Sequence, residues 1–215
     1  LFIPLNRAAV NTVANSPFTS SEPVSELAAG EQLFEEMELG GTVNFIAFRQ
    51  AVAGYNRIKE KSKPILTLID FSKPSTEKRF FVFDMEKKKL LYSSVVAHGR
   101  NSGENYATSF SNQYGSYKSS LGFYLTENTY QGGNGYSLIL NGLEKGINDK
   151  AKARSIVVHG APYANPSVAA SGRLGRSLGC PALPTKLARP IINTIKDGSV
   201  MFIYANNPHY LAQSN

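Results

Sequence analysis

Apolar residues recur at helical spacing in the first quarter of the chain and in strand-like runs after it. In residues 23–39, Leu27, Leu33, Phe34 and Met37 fall on one side, acidic residues fill the rest, and Gly40-Gly41 marks a stop, which predicts a helix. In residues 44–58, Phe45, Phe48, Val52, Tyr55 and Ile58 repeat at three and four and predict a second helix with one apolar stripe. From Pro64 onward the texture changes to short runs rich in Ile, Val, Phe and Tyr, punctuated by Gly, Asn, Ser and Pro. Residues 65–71, 79–85, 89–97, 122–126, 136–141, 155–159 and 200–204 are the predicted strands. A third helix is predicted over 185–196 with Leu187, Ile191, Ile192 and Ile195 on its buried side, and Pro190 implies a kink or a late start. This order predicts a mainly β (α+β) fold, largely antiparallel, a sandwich or partly closed barrel behind an N-terminal helical portion. The expected division is residues 1–63, a low-charge tether followed by the helical portion, and residues 64–215, the domain that carries the chemistry.

A chain of 215 residues can bury a sizeable core without disulfide staples, and its single cysteine excludes an intramolecular disulfide. No stretch reaches the roughly 18 to 20 apolar residues of a membrane-spanning helix. The chain begins at Leu1 without methionine, so a removed signal or anchor, and hence export, is expected. A net charge of +7 makes the surface attractive to anionic polymers or lipids, but the charge is dispersed. Lys59-Glu60-Lys61-Ser62-Lys63 reads as a solvated helix end and Glu86-Lys87-Lys88-Lys89 as a hairpin turn. No nucleic-acid motif accompanies the basic residues, so nucleic acid is not an expected partner.

The chemistry centres on two residues. Cys180 sits in Gly175-Arg176-Ser177-Leu178-Gly179-Cys180-Pro181, downstream of the apolar run that ends in His159-Gly160. A thiol and an imidazole are the minimum parts for acyl transfer through a thioester. A free thiol titrates near pH ~8.5, so it needs a neighbouring cation or oriented amides to become a thiolate, and a charged His159 is the expected source. The glycines and Ser177 suit a tight turn whose N–H groups point at a developing oxyanion. A lone cysteine is ordinarily a small core hydrophobe, but Arg176, Ser177 and Gly179 are not core neighbours.

His159-Gly160 followed by Ser177-Leu178-Gly179-Cys180 resembles the signature of the L,D-transpeptidases, the YkuD-type catalytic domain of bacterial cell-wall enzymes. The likeness is greatest to a murein branch with blocks matching His159 to Tyr163 and Gly172 to Pro184, and it extends softly over residues 64–204, including His98-Gly99-Arg100 and Gly115 to Tyr124. The resemblance implies a YkuD-type β fold and a cysteine-dependent transpeptidase in the periplasm or cell envelope, with peptidoglycan stem peptides as its partner. Cys180 would be the nucleophile, His159 the general base and later acid, and the Gly160 carbonyl the group that orients the imidazole. Gly179 and Cys180 would supply oxyanion-hole amides, and Ser177 would shape the loop. Many members carry an arginine two residues after the cysteine where this chain has Ala182, and Arg173 or Arg176 is expected to take over carboxylate recognition.

Other features carry less. His98 lies in a Gly-, Asn- and Ser-rich segment and is expected either to line the cleft or to sit on the surface; His209 is expected on the surface. Three scattered histidines and one cysteine show no metal-ligand spacing, so neither metal nor cofactor is expected. Gly132-Gly133-Asn134-Gly135 lacks a phosphate-loop ending and reads as a hairpin loop, with Tyr130 and Tyr136 beside it as possible stacking surfaces for substrate. Papain-like enzymes place cysteine before histidine, the reverse of this chain, and sortases expect a later arginine after a strand. An L,D-carboxypeptidase, another amide hydrolase on wall peptides, or a non-catalytic wall-binding module are the alternatives to a transpeptidase.

Overall fold

The structure is a computed structural model that describes residues 24–213; the tether or non-regular segment expected over residues 1–25 lies outside them except for its last two residues, which open a helix instead. Helix α1, Val24–Glu36, ends before the Gly40-Gly41 pair expected to stop it. The reversal is made by Glu38 in the left-handed region (φ 54), with Met37 N–H donating to Leu33 O and Leu39 N–H to Phe34 O. Helix α2, Phe45–Arg57, begins at Asn44, whose Oδ1 accepts from the N–H groups of Ile46 and Ala47 at 3.0 and 3.3 Å. Such a cap contributes about 1 kcal/mol.

Eight strands form one sheet: β1 Ile65–Asp70, β2 Phe80–Asp84, β3 Lys89–Ser94, β4 Gly122–Gly132, β5 Gly135–Gly142, β6 Val157–Gly160, β7 Ala182–Leu183 and β8 Val200–Tyr204. Their spatial order is β3-β2-β1-β8-β4-β5-β6-β7. Five of the neighbouring pairs are antiparallel, while β1 with β8 and β6 with β7 run parallel. The two edges meet through a bridge in which Ala97 and Ala182 exchange N–H···O bonds of 2.8 and 3.2 Å, so the mixed sheet nearly closes into a barrel. Strands β1, β2 and β8 are buried throughout, as their continuous apolar runs require.

The helices share this core. Phe48 of α2 is fully buried and meets the Phe83 ring edge-on at 5.1 Å. Gly54 leaves room for Phe123 of β4, since a Cβ there would lie 1.9 Å from that ring's Cζ. Helix α4, Thr185–Ile195, buries Ala188, Ile191, Ile192 and Ile195. It starts at Thr185 despite Pro190, so the late start is not realised; Asn165 Oδ1 accepts from Thr185 N–H at 2.9 Å and fixes the first turn. Short helices α3, Pro166–Ala169, and α5, Pro208–Gln213, were not expected.

Strand β4 outruns its expected end because it continues with β5 as a hairpin closed by Gly133-Asn134, where Gly132 pairs with Gly135. The lysines of 59–63 are not merely solvated. Lys61 Nζ donates to Ile58 O at the end of α2, and Lys63 Nζ donates to Thr194 O and Lys196 O at the end of α4, where a cation is favoured by the helix dipole.

Candidate active site

The barrel seam assembles the site. Strand β6 carries His159, and β7 runs parallel to it with His159 opposite Ala182 and Gly160 opposite Leu183. Cys180 therefore enters β7 beside Val157, two residues before His159, and the Val157 N–H donates to Cys180 Sγ at 3.4 Å. On the other side of the Cys180 loop runs the segment after β3: Gly99 bridges Ser177, Ser177 N–H donates to His98 O at 2.9 Å, and Arg100 N–H donates to Ser177 O at 2.8 Å. Ala182 thus stands in the seam itself, bonded to Ala97.

The imidazole and the thiol are both oriented, but not by each other. His159 Nδ1 lies 3.0 Å from Gly160 O, and a carbonyl only accepts, so Nδ1 carries the proton and Nε2 is bare in the neutral ring. The Cys180 thiol donates toward Ser155 O at 3.6 Å. Ser155 holds that carbonyl in place with a left-handed backbone (φ 57), an uncommon conformation for serine.

The loop around Cys180 is fixed from below. Ser177 Oγ donates to Cys180 O at 2.6 Å and accepts from Gly179 N–H at 3.1 Å. That second bond corrects the expected oxyanion pair: the Gly179 amide is engaged within the loop. Among the described residues no acceptor takes the Cys180 N–H. Gly179 has φ 128, and a Cβ there would lie 2.8 Å from Ile156 Cδ1 and 2.9 Å from Lys118 O, so glycine is required on both counts.

Arg154 was not anticipated. Its guanidinium donates to Ser111 O, Ser120 Oγ, Ser116 Oγ and Lys118 O, and so ties residues 111–120 into a wall behind Gly179. The sequence signal was weak, since Arg154 closes a basic stretch that reads as solvated surface.

Protonation departs from expectation as well. Burial pushes the Cys180 thiol up from its ordinary value, against the opposing pull of the Val157 N–H and of the Arg154 charge. Burial pushes His159 down from 6.5, only partly offset by its bond to Gly160 O. At neutral pH the resting pair is a thiol and a neutral imidazole. A charged His159 holding a thiolate is therefore not the resting state, and the cation acting on Cys180 is Arg154. Tyr163 is pushed up to about 12, first by burial and then by Cys180, and it remains a neutral phenol at physiological pH.

The remaining expected residues are dispersed. His98 is neither on the surface nor open to substrate: it is fully buried, its Nδ1 accepting from Arg79 Nη2 at 2.7 Å and its Nε2 donating to Gly103 O at 3.1 Å. Tyr136 is tied to α4, donating to Asn193 Oδ1 at 2.7 Å with the Arg189 guanidinium 4.2 Å from its ring centre. Arg173 and Arg176, seven and four residues before Cys180, are half-buried, and both engage Glu104. His209 is exposed. Leu178, between Ser177 and Gly179, is 58 % exposed and gives the loop an apolar tip.

Comparison with solved structures finds L,D-transpeptidases at low identity. The chain is 14% identical to L,D-transpeptidase 3 from Mycobacterium tuberculosis (TM-score 0.41; 66% of this chain, 61% of that one). It is 13% identical to an L,D-transpeptidase from Mycobacterium smegmatis (0.40; 66% and 59%) and 15% identical to one from Stackebrandtia nassauensis (0.39; 85% and 79%). It thus spans about three-fifths of the length of the two mycobacterial chains. No curated protein sequence matches it. Residues 40–204 match the profile of the L,D-transpeptidase catalytic domain, a span that takes in α2 with the whole barrel, and the chain belongs to that family.

Proposed function

We propose that the chain is an exported L,D-transpeptidase of the cell envelope that acts on peptidoglycan stem peptides through a Cys180 thioester. The observation that carries this reading is the locked imidazole: with Nδ1–H donated to Gly160 O, the bare Nε2 of His159 is the only ring position able to take a proton. Cys180 stands two residues before β7, the strand paired with the one that carries His159, and its resting thiol donates toward Ser155 O.

In the acylation step Sγ bonds to the carbonyl carbon of the third stem residue as its proton passes to His159 Nε2. The C–N bond to the terminal D-amino acid then breaks, and the leaving amine takes that proton. In the second step an acceptor amine attacks the thioester, His159 takes the amine's proton, and the thiolate leaves and is reprotonated. The carbonyl oxygen gathers negative charge in both steps, and the Cys180 N–H is the donor assigned to it; one such donor typically contributes about 3 kcal/mol to lowering the barrier. The resting neutral pair suits this course, since proton transfer accompanies attack rather than preceding it.

Mass spectrometry of tetrapeptide muropeptides incubated with the chain and with Cys180→Ala tests the proposal. Loss of the terminal D-residue with dimer formation, absent in the variant, is expected. Loss without dimers would assign a carboxypeptidase, and unchanged muropeptides would remove the acyl-transfer reading altogether.

A further inference from the structure

Two guanidinium groups in the segment that leads into Cys180 along the chain converge on a single carboxylate. Arg173 Nε lies 2.8 Å from Glu104 Oε2, and Arg176 Nη1 lies 2.7 Å from Glu104 Oε1. Each arginine also has partners other than Glu104. Arg176 Nη1 also donates to Arg100 O at 3.1 Å and Gly103 O at 3.2 Å, and Arg173 Nη1 donates to Leu174 O at 3.0 Å.

Beneath them the support is rigid. Gly103 O also accepts from the buried His98 Nε2, and His98 is held in turn by Arg79, which is fully buried and donates to Val96 O and Lys73 O as well. Gly103 cannot bear a side chain, because a Cβ there would lie 2.0 Å from Tyr106 O. Leu174 is fully buried, and its N–H donates to Ser75 Oγ at 3.0 Å.

Glu104 is the opposite case. Its side chain is 71 % exposed and its carboxylate partners are these two guanidinium groups. An exposed carboxylate exchanges readily with a carboxylate from solution, whereas a cation pair anchored on a buried frame stays in place.

We infer that Arg173 and Arg176 form a carboxylate-binding site for the incoming peptide, and that Glu104 is a resident stand-in which the ligand's carboxylate displaces. The identity of the ligand as a stem peptide rests on the proposed acyl transfer; the exchange itself does not. Glu104 then sets specificity by competition: a ligand lacking the matching carboxylate has nothing to offer the arginines and leaves the stand-in seated.

The test is binding of a synthetic tetrapeptide stem, and of its singly amidated forms, to Cys180→Ala chains by calorimetry, with melting curves to verify folding. Adding Glu104→Gln is expected to tighten binding of the parent peptide roughly three- to tenfold, because the internal competitor is gone. Amidation of the one recognised carboxylate should erase that gain, and Arg173→Gln or Arg176→Gln should weaken the parent peptide at least about tenfold. Unchanged affinity on adding Glu104→Gln, or an equal gain for every amidated form, would overturn the inference. A chain that leaves muropeptides intact yet shows the expected affinity pattern would remove the acyl-transfer reading and keep the exchange. Cross-linking without the affinity pattern would do the reverse.

Discussion

At Cys180, burial and charge pull in opposite directions. Cys180 is 7 % exposed, and its desolvation outweighs the Arg154 charge and the Val157 N–H, so the thiolate is scarce at neutral pH. The rate of iodoacetamide alkylation is therefore expected to rise with a midpoint above 9, and Arg154→Gln should move it higher still while Arg154→Lys stays near the parent. A midpoint indifferent to Arg154 would show that the guanidinium only braces the wall. The depressed His159 gives a matching expectation with the opposite sign: its neutral, proton-accepting form persists as pH falls, so the acid limb of kcat/KM lies below 6.5. The thiol, the imidazole and the orienting Gly160 stood out in the sequence because few roles suit a lone cysteine set among glycine, serine and arginine. Their protonation did not, since desolvation depends on packing. Nor did the loss of the Gly179 amide to Ser177 Oγ, which depends on one side-chain rotamer.

At the scale of elements, the pattern of apolar positions was informative wherever packing repeats regularly. Helix α2 runs between the residues flagged as its ends, with Asn44 as its N-cap and Ile58 as its C-cap, and β8 covers residues 200–204. It was silent where an element is held by its partner alone. The outer half of β4, from Asn128 to Gln131, is polar because the hairpin reaches into solvent, and β7 is two residues long and exists only because the seam closes on it. Gly54 is the most exacting contact between elements, since a methyl group there would drive into Phe123, itself stacked on Phe202 at 4.2 Å. Gly54→Ala is expected to cost about 1 to 3 kcal/mol in denaturant unfolding despite alanine's better helix propensity. A neutral or stabilised variant would mean that α2 sits more loosely on the barrel than the packing implies.

For the molecule as a whole, the closure of the sheet on Ala97 and Ala182 makes fold and site inseparable, because the same segments that seal the barrel carry Cys180 and the residues that lead into it. The fold class could be read from the run of short strands. The parallel pairings could not, because they depend on long-range connections with no local signature. The Arg79–His98 pair buried under this seam ties stability to pH. His98 is pushed down to about 4, first by burial and then by the Arg79 charge, against 6.5 in the unfolded chain. As pH falls from 6.5 toward 4 the unfolded chain takes up a proton that the folded one refuses, so folding should weaken by up to about 3 kcal/mol across that window. His98→Gln should flatten that dependence, and an unchanged slope in the variant would place its origin elsewhere.

The central claim is that Cys180 carries the acyl group. Intact-protein mass spectrometry of the chain mixed with a tetrapeptide stem tests it most directly. The account predicts a hydroxylamine-labile mass gain equal to the stem less its terminal D-residue, located on Cys180 and absent from Cys180→Ala. A gain on another residue, or turnover by Cys180→Ala at the parent rate, would contradict it.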